Sequence, residues 1–109
     1  MSASSLLGRK ALLNGNIQLA EQYFVKEEIL QGEITSEIIE NRAYYALYFR
    51  KFDLALKLIQ ELEPSQEQSK LYGLYHYFKA NLSVSLDFAI KGNDQDLIQH
   101  LQQMQQLLG

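Results

Sequence analysis

The chain contains no cysteine. Disulfides, thiolate metal sites and a cysteine nucleophile are therefore excluded. Helix breakers are scarce: there is one proline, Pro64, and there are six glycines. So few breakers favour long helices over a strand-and-turn architecture. No stretch of about 18 apolar residues occurs, so no membrane span is expected. The opening stretch MSASSLLGRKALLNGN has no long apolar run after its charges and does not read as a signal peptide. The two histidines, His76 and His100, have no ligand-spaced partner, whereas a metal site usually needs three or four ligands. No metal and no other cofactor is expected. There is no glycine-rich phosphate loop and no G-x-S-x-G. Glu27-Glu28 and Asp94/Asp96 are close pairs, but helix neighbours diverge, so they read as solvated faces rather than acid/base pairs. An enzyme is therefore not expected. The formal net charge is −3, with Lys and Arg spread along the chain, and no basic stripe marks a nucleic-acid partner.

What is present is apolar and helix-forming. The chain has 109 residues, one domain's worth, and 47% of them are hydrophobic. Apolar residues recur at helical spacing. Ser4 or Ser5 can cap a first helix carrying Leu6, Leu7, Ala11, Leu12 and Leu13. Asn14-Gly15-Asn16 is a turn signal, and Ile17, Ala20 and Phe24 share one face of a second helix that ends near Gly32. Thr35 or Ser36 caps a third, with Ile39, Ala43 and Ala46 facing inward. After a break near Arg50-Lys51, a fourth carries Phe52, Ala55, Ile59 and Leu62. Ser65-Gln66-Glu67-Gln68 fits a capping box that opens a fifth. That fifth helix either breaks near Ala80-Asn81 or runs on to Lys91. Gly92-Asn93-Asp94 is a stop and a new cap, and the last helix carries Leu97, Leu101, Met104 and Leu108 in a heptad-like seam.

Two helical pairs align with each other. GNIQLAEQYF matches RKFDLALKLI, placing Ala20 on Ala55, Ile17 on Phe52 and Phe24 on Ile59, 35 residues apart. Gly8 and Ala43 are the small residues of the two first helices. A third, weaker copy at KANLSVSLDFA puts Gly73 and Ser85 in the small slots at a spacing of 30 residues. The spacing of the first two pairs resembles the tetratricopeptide repeat (TPR), whose period is about 34 residues. The resemblance implies an all-α, TPR-like stack of about three antiparallel pairs with a C-terminal capping helix. The repeats would fall at about 4–34, 36–64 and 66–91, and the cap at 94–108, in one domain of residues 1–109. An ordinary helical bundle with coincidental alanines is the alternative.

In such a stack the first helices of each pair line a groove. The helical wheel assigns it Arg9, Leu12, Leu13, Glu40, Tyr44, Leu47, Tyr48, Lys70, Leu74, Tyr77 and Phe78. An aromatic, apolar channel of this kind suits the apolar face of a partner helix.

The second half resembles a family more narrowly. KFDLAL, LYGLYHYFKANLSVSLD and a Gln/Leu/Met-rich last helix are similar, over about residues 40 to 106, to the YscG/PscG-type chaperones of bacterial type III secretion systems. The likeness rests on Phe52, Ala55 and Leu56, on Leu74 and His76, and on Ser85-Leu86-Asp87. It implies a chaperone in the bacterial cytoplasm that holds the secretion needle subunit as a monomer. The amphipathic helix at the C-terminus of that subunit would lie on Tyr44, Leu47, Tyr48, Leu74, Tyr77 and Phe78. A small helical co-chaperone would pack on Leu6, Leu12 and Leu13, completing a heterotrimer. The competing expectation is a TPR adaptor that self-associates through the seam of its last helix.

Overall fold

The computed structural model describes residues 1–108. Among them the chain is all-helical. The elements are α1 (Ala3–Leu13), α2 (Ile17–Gln31), α3 (Ser36–Tyr48), α4 (Phe52–Glu61), α5 (Gln66–Phe78), α6 (Leu82–Lys91) and α7 (Gln95–Leu108). Residues 66–91 thus form two helices. The first helix starts earlier than the sequence suggests. Ser2, not Ser4 or Ser5, is its cap and accepts from the Ser5 amide, while the Ser5 side chain is buried. Thr35 and Ser65 cap α3 and α5 by accepting from the Ile38 and Gln68 amides.

One turn joins the helices of every pair. The Asn16 amide reaches back to the Ala11 carbonyl (2.8 Å) and the Gly15 amide to that of Leu12 (3.0 Å). The same two bonds recur as Lys51 to Ala46 and Arg50 to Leu47, and again as Asn81 to His76 and Ala80 to Tyr77. They occur a fourth time between α6 and α7, as Asp94 to Ala89 and Asn93 to Ile90. This is a Schellman ending, which places its middle residue in the left-handed region. Gly15, Arg50, Ala80 and Asn93 accordingly have φ of 77°, 61°, 62° and 55°. The residue after each of them caps the start of the next helix.

The spacing of 30 rather than 35 in the third copy also has a structural source. Helix α2 has 15 residues, whereas α4 and α6 have 10 each. The turns are alike, and the added length lies at the far end of α2.

The helices pack as two compact units, Met1–Leu62 with α1–α4 and a second from Glu63 with α5–α7. In the first unit α1 packs on α2, α3 on α4, and α3 also on both α1 and α2. Its core includes Leu12, Ala20, Ile38, Ala43, Leu47, Ala55 and Ile59. Gly8 lets α1 meet α2: a Cβ there would lie 2.4 Å from the Phe24 ring. In the second unit α5 and α6 are as close. The Ser85 hydroxyl donates to the Gly73 carbonyl (2.7 Å), and a Cβ on Gly73 would stand 3.3 Å from the Ala89 amide nitrogen. Leu71, Ala89, Leu97 and Leu101 are buried there.

Two substitutions test this packing by chemical denaturation. Gly92 lies against the first turn of α5, where a Cβ would be 2.7 Å from the Lys70 nitrogen and 2.9 Å from the Gln66 oxygen. Because both neighbours are backbone, Gly92→Ala is expected to cost about 1–3 kcal/mol. Ala80 holds a left-handed conformation that disfavours a Cβ, so Ala80→Gly is expected to stabilise by about 1 kcal/mol.

Candidate partner-binding surfaces

The face of the first unit shared by α1 and α3 is tied by polar contacts. Asn41 donates to the Ser5 hydroxyl (2.7 Å) and accepts from Arg9 Nε (3.0 Å). The Arg9 guanidinium also pairs with Glu40 (3.1 Å) and stands 4.7 Å from the centre of the Tyr44 ring. Burial alone would raise the Glu37 carboxyl. The Ser2 amide, the Ser5 hydroxyl, the N-terminal ammonium and Arg9 more than offset it, holding the group below the usual carboxylate range. Tyr44 and Tyr48 lie one turn apart on α3. Both are half-buried, their bases packed on the cluster of Ala11, Leu12, Ala20 and Phe24.

Two expected surface residues are not on the surface. Leu47 is 0% exposed and Leu12 is 2% exposed. Each projects into the helix interface of the first unit, so neither lines a groove nor offers a contact to a co-chaperone. Leu6 and Leu13 are exposed on α1, as is Leu7. In the second unit Leu74, Tyr77 and Phe78 of α5 are half-buried. Tyr77 packs against the cluster of Ala89, Leu97 and Leu101, and its hydroxyl bonds His100 Nε2 (2.8 Å). The six residues assigned to one groove thus fall three on α3 of the first unit and three on α5 of the second.

Most of the seam of the last helix is used internally. Leu97 and Leu101 are buried, and Met104 packs against the same cluster. Among the described residues of α7, only Leu107 and Leu108 remain as exposed large apolar side chains. Leu97, Leu101 and Met104 therefore serve the fold of the second unit, and of the expected seam Leu108 alone is left exposed.

The outer side of α2 is not anticipated by the sequence reading. Leu19, Val25, Ile29 and Leu30 are all exposed there, Ile29 at 75%. The signal is legible: these residues point away from Ala20 and Phe24, which makes α2 apolar on two sides. Glu27 also departs from expectation. It is 3% exposed and accepts from the Gln31 amide (2.7 Å), while its neighbour Glu28 pairs with Arg42 (2.6 Å). Neither lies on the freely solvated face expected for them.

A cleft of about 370 Å³ also opens between α2, α3 and α4 of the first unit. Arg42, Tyr45 and Ala46 reach it from the side of α3 away from Tyr44 and Tyr48. Glu21 accepts from the Tyr45 hydroxyl (3.3 Å) at its edge. Burial and then the Glu21 charge push the Tyr45 hydroxyl above its ordinary pKa. Among the described residues no three His, Cys, Asp or Glu side chains are placed to hold a metal ion, and no helix is long and apolar enough to cross a membrane. His76 lies parallel to the Phe88 ring with centres 5.6 Å apart, and His100 meets Tyr77 edge-on.

Burial lowers the pKa of His76 from its ordinary 6.5. The unfolded chain then takes the proton first, so stability is full above about pH 6.5 and falls as the pH drops below it. Melting curves at about pH 7.5 and 5.5 should show this fall, and His76→Phe should make it smaller. No protein-family model, no curated protein and no solved structure matches the chain.

Proposed function

We propose that the protein is a non-catalytic, TPR-like chaperone that covers the apolar face of a partner's amphipathic helix. The observation that carries this reading is the pair Tyr44 and Tyr48. They are anchored at the base, half-open to solvent and fenced by the Arg9–Glu40 ion pair. Tyrosines held this way give a large contact area with little side-chain entropy left to lose on binding. Leu74 and Phe78 on α5 offer a similar half-exposed apolar face within the second unit. The TPR-like reading draws on the recurring three-residue turn and on small residues where paired helices meet, namely Gly8, Ala20, Ala43, Ala55, Gly73 and Ser85.

The resemblance of residues 40 to 106 nominates the partner: the C-terminal helix of a type III secretion needle subunit, held in the bacterial cytoplasm before export. A small helical co-chaperone is proposed for the exposed leucines of α1, Leu6 and Leu13, without Leu12. The physical logic is that a polymerising protein exposes an apolar helix, and covering it prevents assembly. The acidic balance of the chain and the absence of a basic stripe argue against nucleic acid as the partner.

Calorimetry of the purified chain with a synthetic peptide, the C-terminal helix of a needle protein, tests the reading. Saturable 1:1 binding is expected, weakened roughly tenfold or more by Tyr48→Ala. Leu47→Ala should instead lower stability by about 2–5 kcal/mol. A chain that stays soluble and monomeric alone and takes up no such helix would sink the proposal.

A further inference from the structure

The cleft between α2, α3 and α4 is a second surface, which shares the buried Asn41 with the α1–α3 face. Phe24, Tyr45 and Ala46 form its floor, Val25 one wall and Leu54 and Leu58 the other. Val25 and Leu54 are 46% and 47% exposed, so this is an open apolar trough within the first unit. Leu54 and Leu58 lie one turn apart, the spacing at which a helix presents side chains along one edge.

Its charges are unevenly satisfied. Glu28 and Arg42 neutralise each other (2.6 Å). Glu21 and Lys51 do not. The Glu21 carboxylate accepts from the neutral Tyr45 hydroxyl, and the Lys51 ammonium stands 5.8 Å from the centre of the Phe49 ring. Among the described residues neither has an ion-pair partner. They sit on opposite walls, Glu21 on α2 and Lys51 at the start of α4. The trough therefore presents an apolar floor with a negative charge on one lip and a positive charge on the other, neither in an ion pair.

We propose that this trough binds the apolar edge of a second amphipathic helix from a partner protein, one carrying a basic residue on the flank that meets Glu21 and an acidic residue on the flank that meets Lys51. Such a helix buries the leucines and pairs with both charges at once, which an uncharged apolar ligand does not do. The mixed charge of the rim also discriminates against helices whose flanks bear one sign.

The test uses the full chain with methyl labelling and two synthetic helical peptides. One has leucines at i, i+3, i+4 and i+7 with lysines on one flank and glutamates on the other. Its counterpart has glutamines on both flanks. The mixed-charge peptide is expected to shift the Val25, Leu54 and Leu58 methyls and to bind roughly fivefold tighter than its counterpart. Glu21→Gln with Lys51→Gln should erase that difference. Leu54→Asp, at an exposed position, should abolish binding with little change in melting temperature. Equal binding of the two peptides, binding by neither, shifts confined to α1 and α5, or binding that survives Leu54→Asp would overturn the proposal. So would a dimer in sedimentation experiments that Leu54→Asp disrupts, since the occupant would then be a second copy of the chain.

Discussion

The packing within each unit depends on how closely two neighbouring helices can approach. Where α1 meets α2 the contact is Gly8 against the ring of Phe24. Where α5 meets α6 it is Gly73 against Ser85 and Ala89. Ala20, Ala43, Ala55 and Ala89 are all fully buried. Large side chains then fill the spaces beside these small ones: Leu12, Ile38, Leu47 and Ile59 in the first unit, Leu71 in the second. Interior volume is therefore filled by small and large residues together, and a leucine that is fully enclosed there has no surface role left. This is why Leu12 and Leu47 are core residues although the helical wheel leaves them near its edge.

Much of the fold is legible in the sequence because breakers and small residues carry it. The break points at Gly15, Gly32, Arg50-Lys51, Pro64 and Gly92-Asn93 all coincide with helix ends. The alignment of Ala20 with Ala55 marks equivalent buried positions. Residues 66–91 are ambiguous for a physical reason. The turn there uses Ala80 in a left-handed conformation, and alanine gives no sign of one in sequence. The start of α1 is hard to place because three serines at positions 2, 4 and 5 can each cap; the bond from the Ser5 amide to the Ser2 hydroxyl decides for Ser2, and Asn41 holds the Ser5 hydroxyl inside.

The candidate sites are legible only in part. Tyr44 and Tyr48 are half-open on α3, but the wheel does not separate them from Leu47, which follows Tyr44 by less than one turn. The last helix shows the same limit. A heptad-like run records that one face is apolar, not whether the chain itself or another molecule covers it, and here α5 and α6 do so. The exposed aliphatics of α2 are masked in sequence by the stronger pattern of Ala20 and Phe24. A helix with two apolar sides needs two explanations, and its inner face answers only one.

The unequal lengths of the second helices bear on how this architecture accommodates change. The five residues that α2 has beyond α4 and α6 follow Phe24, downstream of its contact with Gly8. The three-residue turn has no such slack, since its last residue both closes one helix and opens the next. Inserted residues at the turn would shift every small-residue contact out of register. Inserted residues at the far end of α2 leave those contacts alone and enlarge the surface that carries Ile29 and Leu30. The close contact with α1 thus lies in the first stretch of α2, and the last turn can be lengthened without moving it.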